Sequence, residues 1–510
     1  MSDLKELVVI IGLALGSFWL ARTPLCKTAM NTAEFDRRRN LWVVLTVLAF
    51  VSHSFWIYIV VAALILSFWS IGETNRLAMF LALLLVVPIF SQAIPGFGGI
   101  QQFISLSHVR LLSLTLLLPA YLMIRGKPEA IPFGRKLADK LLLAYLAEQV
   151  ILQIFVDSFT NTARYAIYSF TDVFLPYYVA SRGSKDLQTF RDTVSSMFFA
   201  IVITAPVALF EYFKGWLLYG NLSGTMGVVD KMGSYMARGE SIRAVASSQH
   251  SIVLGYLMTV ALGLALFVRE FIAPRALFVM AVLVSVAALI AAGARGPWVG
   301  ALAVASVIML TGAGKFGRTL RIMLIAIPVL TAMSFTDFGR RLFDLLPFIG
   351  TVDTASVDYR RQLFDISLLV IGQHPWLGAF DYLINPAMQD LIQGEGIIDV
   401  VNSFLGVALT YGLVGLTLFC GVFAASAWGV WTGIRSSAPG SEASILGRSL
   451  LAVLAGVLVT ITTVSSIGVV PVVYWIVAGL CVGYGELVRS TSALPSDPQD
   501  VALMPRAAHA

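Results

Sequence analysis

The chain is short of charge. Asp, Glu, Lys and Arg make up only 13% of its 510 residues, where a soluble globular domain carries roughly 25%. That deficit excludes a molecule whose surface is mostly wetted. Cysteine is nearly absent: Cys26, Cys420 and Cys481 form no CxxC pair and cannot build a disulfide framework. Cys420 and Cys481 lie in apolar runs and read as packing residues. The five histidines, at 53, 108, 250, 374 and 509, show no HExxH-type spacing, and no acidic cluster suggests a Mg²⁺ site. No metal ligands and no cofactor are expected. No basic run is interleaved with aromatics, which argues against nucleic acid as a partner despite a net charge of +6. Internal repeats and low-complexity linkers are missing too. The expected organisation is one transmembrane domain over 1–488, with a disordered cytoplasmic tail over 489–510 rich in Ser, Pro and Ala.

What is there is hydrophobic sequence, 58% of all residues, with a mean hydropathy of +0.84. A helix needs about 20 apolar residues to cross the hydrocarbon of a bilayer. Candidate spans run near 7–21, 41–70, 77–93, 108–124, 138–157, 164–181 and 193–213, then 250–268, 276–294, 298–313, 320–336, 404–434, 448–467 and 470–487. Runs this long and unalternating exclude barrel strands. The expected fold is all-α, a polytopic transmembrane helical bundle of about 12–14 spans. The first stretch, with one lysine and no A-x-A pattern, reads as a retained helix rather than a removed signal peptide.

Lys and Arg concentrate in the short loops that face the cytoplasm. Arg125 to Lys140, Arg182 to Arg191, Arg269 with Arg275, Lys315 to Arg321, and Arg435 with Arg448 alternate correctly with the spans between them. Residues 22–40, with Arg37, Arg38 and Arg39, break the pattern, because simple counting puts them outside. Either 41–70 folds back at Ser52-His53-Ser54 or the charge rule fails there. Two outward connections are long, a shorter one over 214–249 and a longer one over 337–403, and long connections usually carry function. In the longer, Tyr359 to Ile371 reads as a helix on or near the membrane, and Asp390 to Asn402 leads back into lipid.

Four local patterns carry possible chemistry. Ala294-Arg295-Gly296-Pro297-Trp298 puts an arginine at the outer end of a span, where it needs a partner or must snorkel to the interface. Tyr359-Arg360-Arg361-Gln362-Leu363-Phe364-Asp365 begins an apolar helix that Gly372 to Gly378, with His374 and a Pro-x-x-Gly turn, brings to a close. Read blandly, its charges are a solvated helix face. Ile398-Asp399-Val400-Val401-Asn402-Ser403 precedes Tyr411-Gly412-Leu413-Val414-Gly415, and Asn402 would serve equally as a helix cap. Arg243-Ala244-x-Ala246-x3-Gln249-His250-x4-Gly255 edges the next outer helix end, where a histidine is commonly interfacial.

In that order and placement, over roughly residues 190–485, the patterns resemble the superfamily of bacterial O-antigen polymerases and O-antigen ligases. Ile94-Pro95-Gly96-Phe97-Gly98-Gly99 is similar to exopolysaccharide members. The resemblance implies a metal-independent, inverting glycosyltransferase of the bacterial inner membrane, its active site facing the periplasm. Its substrates would be undecaprenyl-diphosphate-linked glycans, with a chain-length regulator or exporter as further partners. Family arginines bind the diphosphate. By position these are Arg295 and Arg360 or Arg361, joined in the candidate site by Asp399 and Asn402, with Arg243, His250, His374 and Asp365 as substrate-binding candidates. Guanidinium groups suit the task because they grip phosphate oxygens in bidentate fashion and stay charged. Family ligases carry a histidine just before the asparagine. Here Val401 stands in its place, which favours a polymerase and leaves the acceptor's base open among Asp399, Asp365, His374 and His250. A ligase acting on lipid A-core is the alternative. A lipid-glycan transporter is a second, and Asp172, inside a span, fits it better than it fits an enzyme.

Overall fold

The computed structural model describes residues 2–98, 101–128, 131–228, 237–238, 241–312, 354–392 and 396–492. Candidate span 320–336, the first part of the 337–403 connection and the tail from 493 onward lie outside the described residues. The architecture is all-α. Among the described residues seven helices are long and apolar enough to cross a membrane. In chain order the helices are α1 (Ser2–Thr28), α2 (Thr32–Val51), α3 (Phe55–Trp69), α4 (Arg76–Leu83) and α5 (His108–Arg125). Next come α6 (Leu137–Val156), α7 (159–183), α8 (Leu187–Lys214), α9 (Ser251–Val268), α10 (Arg275–Ala291) and α11 (Arg295–Thr311). The later helices are α12 (Thr354–Gln373), α13 (Ser403–Ser436), α14 (Glu442–Ile461) and α15 (Val470–Ser492).

Three helix irregularities fall where proline dictates them. Proline lacks an N–H and its ring crowds the carbonyl four residues back. Pro119 and Pro176 each follow a π-helical turn, Ser113–Leu117 in α5 and Phe170–Phe174 in α7. Pro206 sits just past Ile203, where α8 bends between Val202 and Thr204. The apolar run 77–93, expected to be a span, is helical only to Leu83. It then loosens and enters a β-hairpin of β1 (Ser91–Pro95) and β2 (Gln102–Ser107). Pro88 disfavours helix for the residue before it and at its own position.

Side-chain contacts sort the helix ends into two groups. At one, Arg38 of α2 binds Glu73 (Nε–Oε1 3.2 Å) and Asp192 of α8 (Nη2–Oδ2 2.9 Å). Arg182 of α7 pairs with Asp139 of α6 at 2.6 Å, Arg191 of α8 with Glu442 of α14, and Lys136 with Glu486 of α15. This is the basic end. At the far end, Asn221 donates to Glu6 of α1 at 2.9 Å, the Tyr58 hydroxyl meets His108 Nδ1 at 2.8 Å, and Ser403 Oγ donates to the Val464 carbonyl at 2.8 Å. Because Glu73 returns to Arg38, α2 and α3 form a hairpin. The chain folds back at Ser52-His53-Ser54, with His53 at φ 48°. Residues 22–40 therefore share the end that holds the other basic loops, and the charge rule is satisfied.

The interior is apolar and close-packed. Helix α9 is buried along most of its length and packs on α11 and α14. Small residues allow the approach: Gly263 abuts Val453, and Gly456 abuts Val304. Tyr145, Phe419, Phe423 and Trp475 interleave α6, α13 and α15 through edge and stacked ring contacts. A separate small core, built from Leu363, Val370, Met388 and Leu391, seats the 354–401 segment on Leu409 of α13.

Candidate functional site

The far end is assembled in two halves. The first begins with Arg243. Its Nη2 donates to the Gly293 carbonyl at 3.1 Å, while the Ala244 N–H donates to the Ala291 carbonyl at 3.1 Å. Thus the 243–250 segment lies along the turn that leads into Arg295, the first residue of α11. Pro297 of that turn packs on Gly255 of α9, where a Cβ would come within 2.9 Å of the ring, and its carbonyl accepts from Thr259 Oγ1 at 2.8 Å. Two sequence patterns far apart in the chain, around Arg243 and around Arg295, are one structural unit.

Sequence reasoning missed what anchors that unit. Glu211 of α8 is 1% exposed and accepts three backbone N–H groups, from Val245 (2.9 Å), Ala246 (2.7 Å) and Leu218 (3.0 Å). The segment it holds is strained: Ala246 and Gln249 have φ of 50° and 67°, a conformation that costs a non-glycine residue on the order of 1–3 kcal/mol. An acid within an otherwise apolar stretch, Phe210-Glu211-Tyr212, was the available signal.

The second half joins the long loop to α13. The Tyr359 hydroxyl donates to the Asp399 carbonyl at 3.0 Å and accepts from the Asp399 N–H at 3.1 Å. This places Arg360 and Arg361, at the start of α12, beside the 398–402 stretch. Along α12, Leu363, Ser367 and Val370 are buried at helical spacing, whereas Phe364, Leu368 and Leu369 are exposed on the other side. Asn402 caps α13: its side-chain oxygen accepts from the N–H of Phe404 (2.9 Å) and Leu405 (3.2 Å). Of the remaining candidates, Asp365 and His374 are exposed on α12 and just beyond its end, and His250 is exposed at the start of α9.

The Pro-x-x-Gly turn and the Gly-x-x-Gly pattern also meet. Helix α13 is broken at Gly412, with φ 66° and ψ −165°, a region open essentially to glycine alone. The backbone groups freed there are taken up by the turn after α12. Leu413 N–H donates to the Pro375 carbonyl (2.8 Å), Val414 N–H to the Trp376 carbonyl (3.2 Å), and Ala379 N–H to the Leu409 carbonyl (2.8 Å).

One short connection touches both halves. In the turn between α14 and α15, Ser465 Oγ donates to Asp399 Oδ1 at 2.6 Å and Ser466 Oγ to Ser403 Oγ at 3.0 Å. Thr463 of the same turn lies against Gly296, the neighbour of Arg295. Thr462 to Ser466 carried a run of hydroxyls between two spans, which the motifs did not single out. Arg295 and Arg360 therefore stand at the same end of the bundle, linked through residues 463–465 and Asp399.

Residues 279–420 match the family model described as O-antigen ligase. This stretch is similar to the O-antigen ligase family, which supports the resemblance to the O-antigen ligase and polymerase superfamily. The match takes in Arg295, Arg360, Arg361, Asp365, His374, Asp399, Asn402 and the break at Gly412. It leaves outside the Arg243–His250 segment, Glu211 and the 463–466 turn, which the structure packs against it. No curated protein matches the chain. The match supports a role in glycan assembly, and the seven long apolar helices suggest a multi-pass membrane protein. Asp172, the residue that best fitted a transporter, is paired with Arg110 at 2.8 Å, and the Arg110 guanidinium lies 3.6 Å from the Tyr168 ring centre.

Proposed function

We propose that the protein polymerises oligosaccharide repeat units carried on undecaprenyl diphosphate, at the periplasmic face of the inner membrane. The observation that carries this reading is the common location of Arg295 and the Arg360–Arg361 pair around the 463–465 turn, within and beside the O-antigen ligase match. In the proposed reaction the acceptor hydroxyl attacks the anomeric carbon of the growing chain from the face opposite the diphosphate. The bond from that carbon to the diphosphate oxygen breaks, the electron pair leaves on the diphosphate, and the acceptor's proton passes to a base. Charge grows on the leaving oxygen, and guanidinium groups aimed at it would stabilise the transition state by several kcal/mol each in a site with little water.

Asp399 is the base we favour. Ser465 and Tyr359 fix its position from two sides, whereas Asp365, His374 and His250 are exposed. Val401 stands where ligases of the superfamily carry histidine, which supports the polymerase over the ligase. The test is to incubate the purified protein with a lipid-diphosphate-linked repeat unit, then size the products and identify the reducing end. A ladder of lengthened chains still bearing lipid diphosphate supports the proposal. Transfer of unlengthened glycan to added lipid A-core replaces it with the ligase. Movement of labelled substrate across vesicles without either product replaces it with a transporter.

A further inference from the structure

At the basic end, opposite the arginine turns, a cavity of about 470 Å³ opens between the α1–α2 turn, the start of α4, and the ends of α5, α7 and α8 that meet there. Its size suits a ligand of a few dozen atoms. The acids in its wall are engaged within the protein. Glu73 and Asp192 bind Arg38, Glu34 accepts from the Thr74 N–H and hydroxyl, and Asp186 caps α8 by accepting from the Thr189 N–H at 2.7 Å. Arg182, also in the wall, is held by Asp139.

Three cations in the wall remain. Among the described residues Arg76, Lys127 and Lys185 form no ion pair. Arg76 Nε is buried and makes no hydrogen bond among them, and a buried donor on a permanent cation is costly until an acceptor arrives. Part of the wall is apolar, formed by Ala120, Met123 and Ile124 of α5 and Val179 of α7. It continues onto the outer surface of α5, where Leu122 and Met123 are 58% and 56% exposed. Cations together with an apolar wall running out to a lipid-facing surface suit an amphiphile with an anionic head. Basic pockets between helices at a membrane surface recognise such heads.

We infer that this cavity binds a phosphate group, with Arg76, Lys127 and Lys185 on its oxygens, and that the apolar wall of α5 accepts the acyl chain of the lipid bearing it. The site is separate from the one proposed for the diphosphate donor and stands whether or not that proposal does. Its test uses the purified full chain in neutral detergent, with short-chain phosphatidylglycerol, the matching diacylglycerol and inorganic phosphate as separate probes. Phosphatidylglycerol should bind saturably and raise the melting temperature, and diacylglycerol should do neither. Lys127→Gln and Lys185→Gln alter exposed side chains that the fold does not need, and each should weaken phosphatidylglycerol about fivefold; Arg76→Gln should weaken it further. A response to inorganic phosphate with the same lysine dependence supports the site and makes the free anion its source. Unchanged phosphatidylglycerol binding in the double lysine variant, an equal response to diacylglycerol, or no saturable response to either phosphate probe overturns it.

Discussion

Leu413 donates its backbone N–H to the carbonyl of Pro375 at 2.8 Å, closing a gap in α13 that Gly412 opens. The interlock fixes the 354–401 segment, and with it Arg360 and Asp399, against the bundle. An alanine Cβ at 412 would lie 2.3 Å from the Trp376 carbonyl group. Gly412→Ala should therefore destabilise by at least about 1–3 kcal/mol and expose the loop to protease. A variant with wild-type melting temperature and digestion pattern would refute the interlock.

Glu211→Ala leaves three buried backbone N–H groups without their acceptor. Each orphaned group costs about 1–3 kcal/mol. The variant should lose several kcal/mol, and hydrogen exchange should accelerate first at Val245 and Ala246. Glu211→Gln, which keeps one oxygen, should fall between it and wild type. Protection unchanged in both variants would show that Glu211 does not anchor the segment.

Much of the bundle was legible because lipid forces it to be. A backbone in hydrocarbon must satisfy its own hydrogen bonds, so long apolar runs become helices. Helices α9 and α15 follow the expected spans closely, whereas α1 extends past the expected 7–21 at both ends, from Ser2 to Thr28. The hairpin at His53 was one of two readings, and only the contact between Arg38 and Glu73 decides it. The loss of helix after Leu83 was hidden, since residues 84–90 are as apolar as a span and are buried without being helical. At the site, the motifs marked single residues, whereas the structure depends on how they touch. That Arg243 lies along the Arg295 turn, or that Pro375 serves Leu413, is a long-range backbone pairing with no periodic trace in sequence. Asn402 shows a different limit: its role as a helix cap and a role in binding look the same until the N–H groups of Phe404 and Leu405 are seen on its oxygen.

Ser465→Ala removes the hydroxyl that donates to Asp399 Oδ1 at 2.6 Å, and Tyr359→Phe removes the group that brackets the Asp399 backbone. A hydrogen bond of this kind contributes about 1–3 kcal/mol. Each variant should slow chain extension by roughly tenfold or more, with donor binding little changed. Full turnover in both would remove Asp399 from the mechanism.

At the basic end, Arg38 is 3% exposed and serves Glu73 and Asp192 together. Arg38→Ala would strand both acids and should cost roughly 3–5 kcal/mol. Burial pushes the Glu73 carboxyl above the usual carboxylate range, against the pull of Arg38. The folded state then holds that proton more tightly than the unfolded chain does, so this group favours folding most at low pH and less as pH rises through its raised value. Glu73→Gln cannot titrate. Its melting temperature should fall less than that of the wild type as pH rises upward from the ordinary carboxylate range, and parallel curves would contradict the assignment.

The central claim is that Arg295 and the Arg360–Arg361 pair hold one diphosphate. It is tested most directly by the initial rate of chain extension on a lipid-diphosphate-linked repeat unit, with Arg295→Ala and the Arg360→Ala/Arg361→Ala double variant set beside the wild type at matched folding. Loss of a preorganised donor to a leaving oxyanion costs on the order of 10²–10³ in rate, and a loss of that size in each variant is the expected result. Extension within twofold of the wild type in both variants would contradict it.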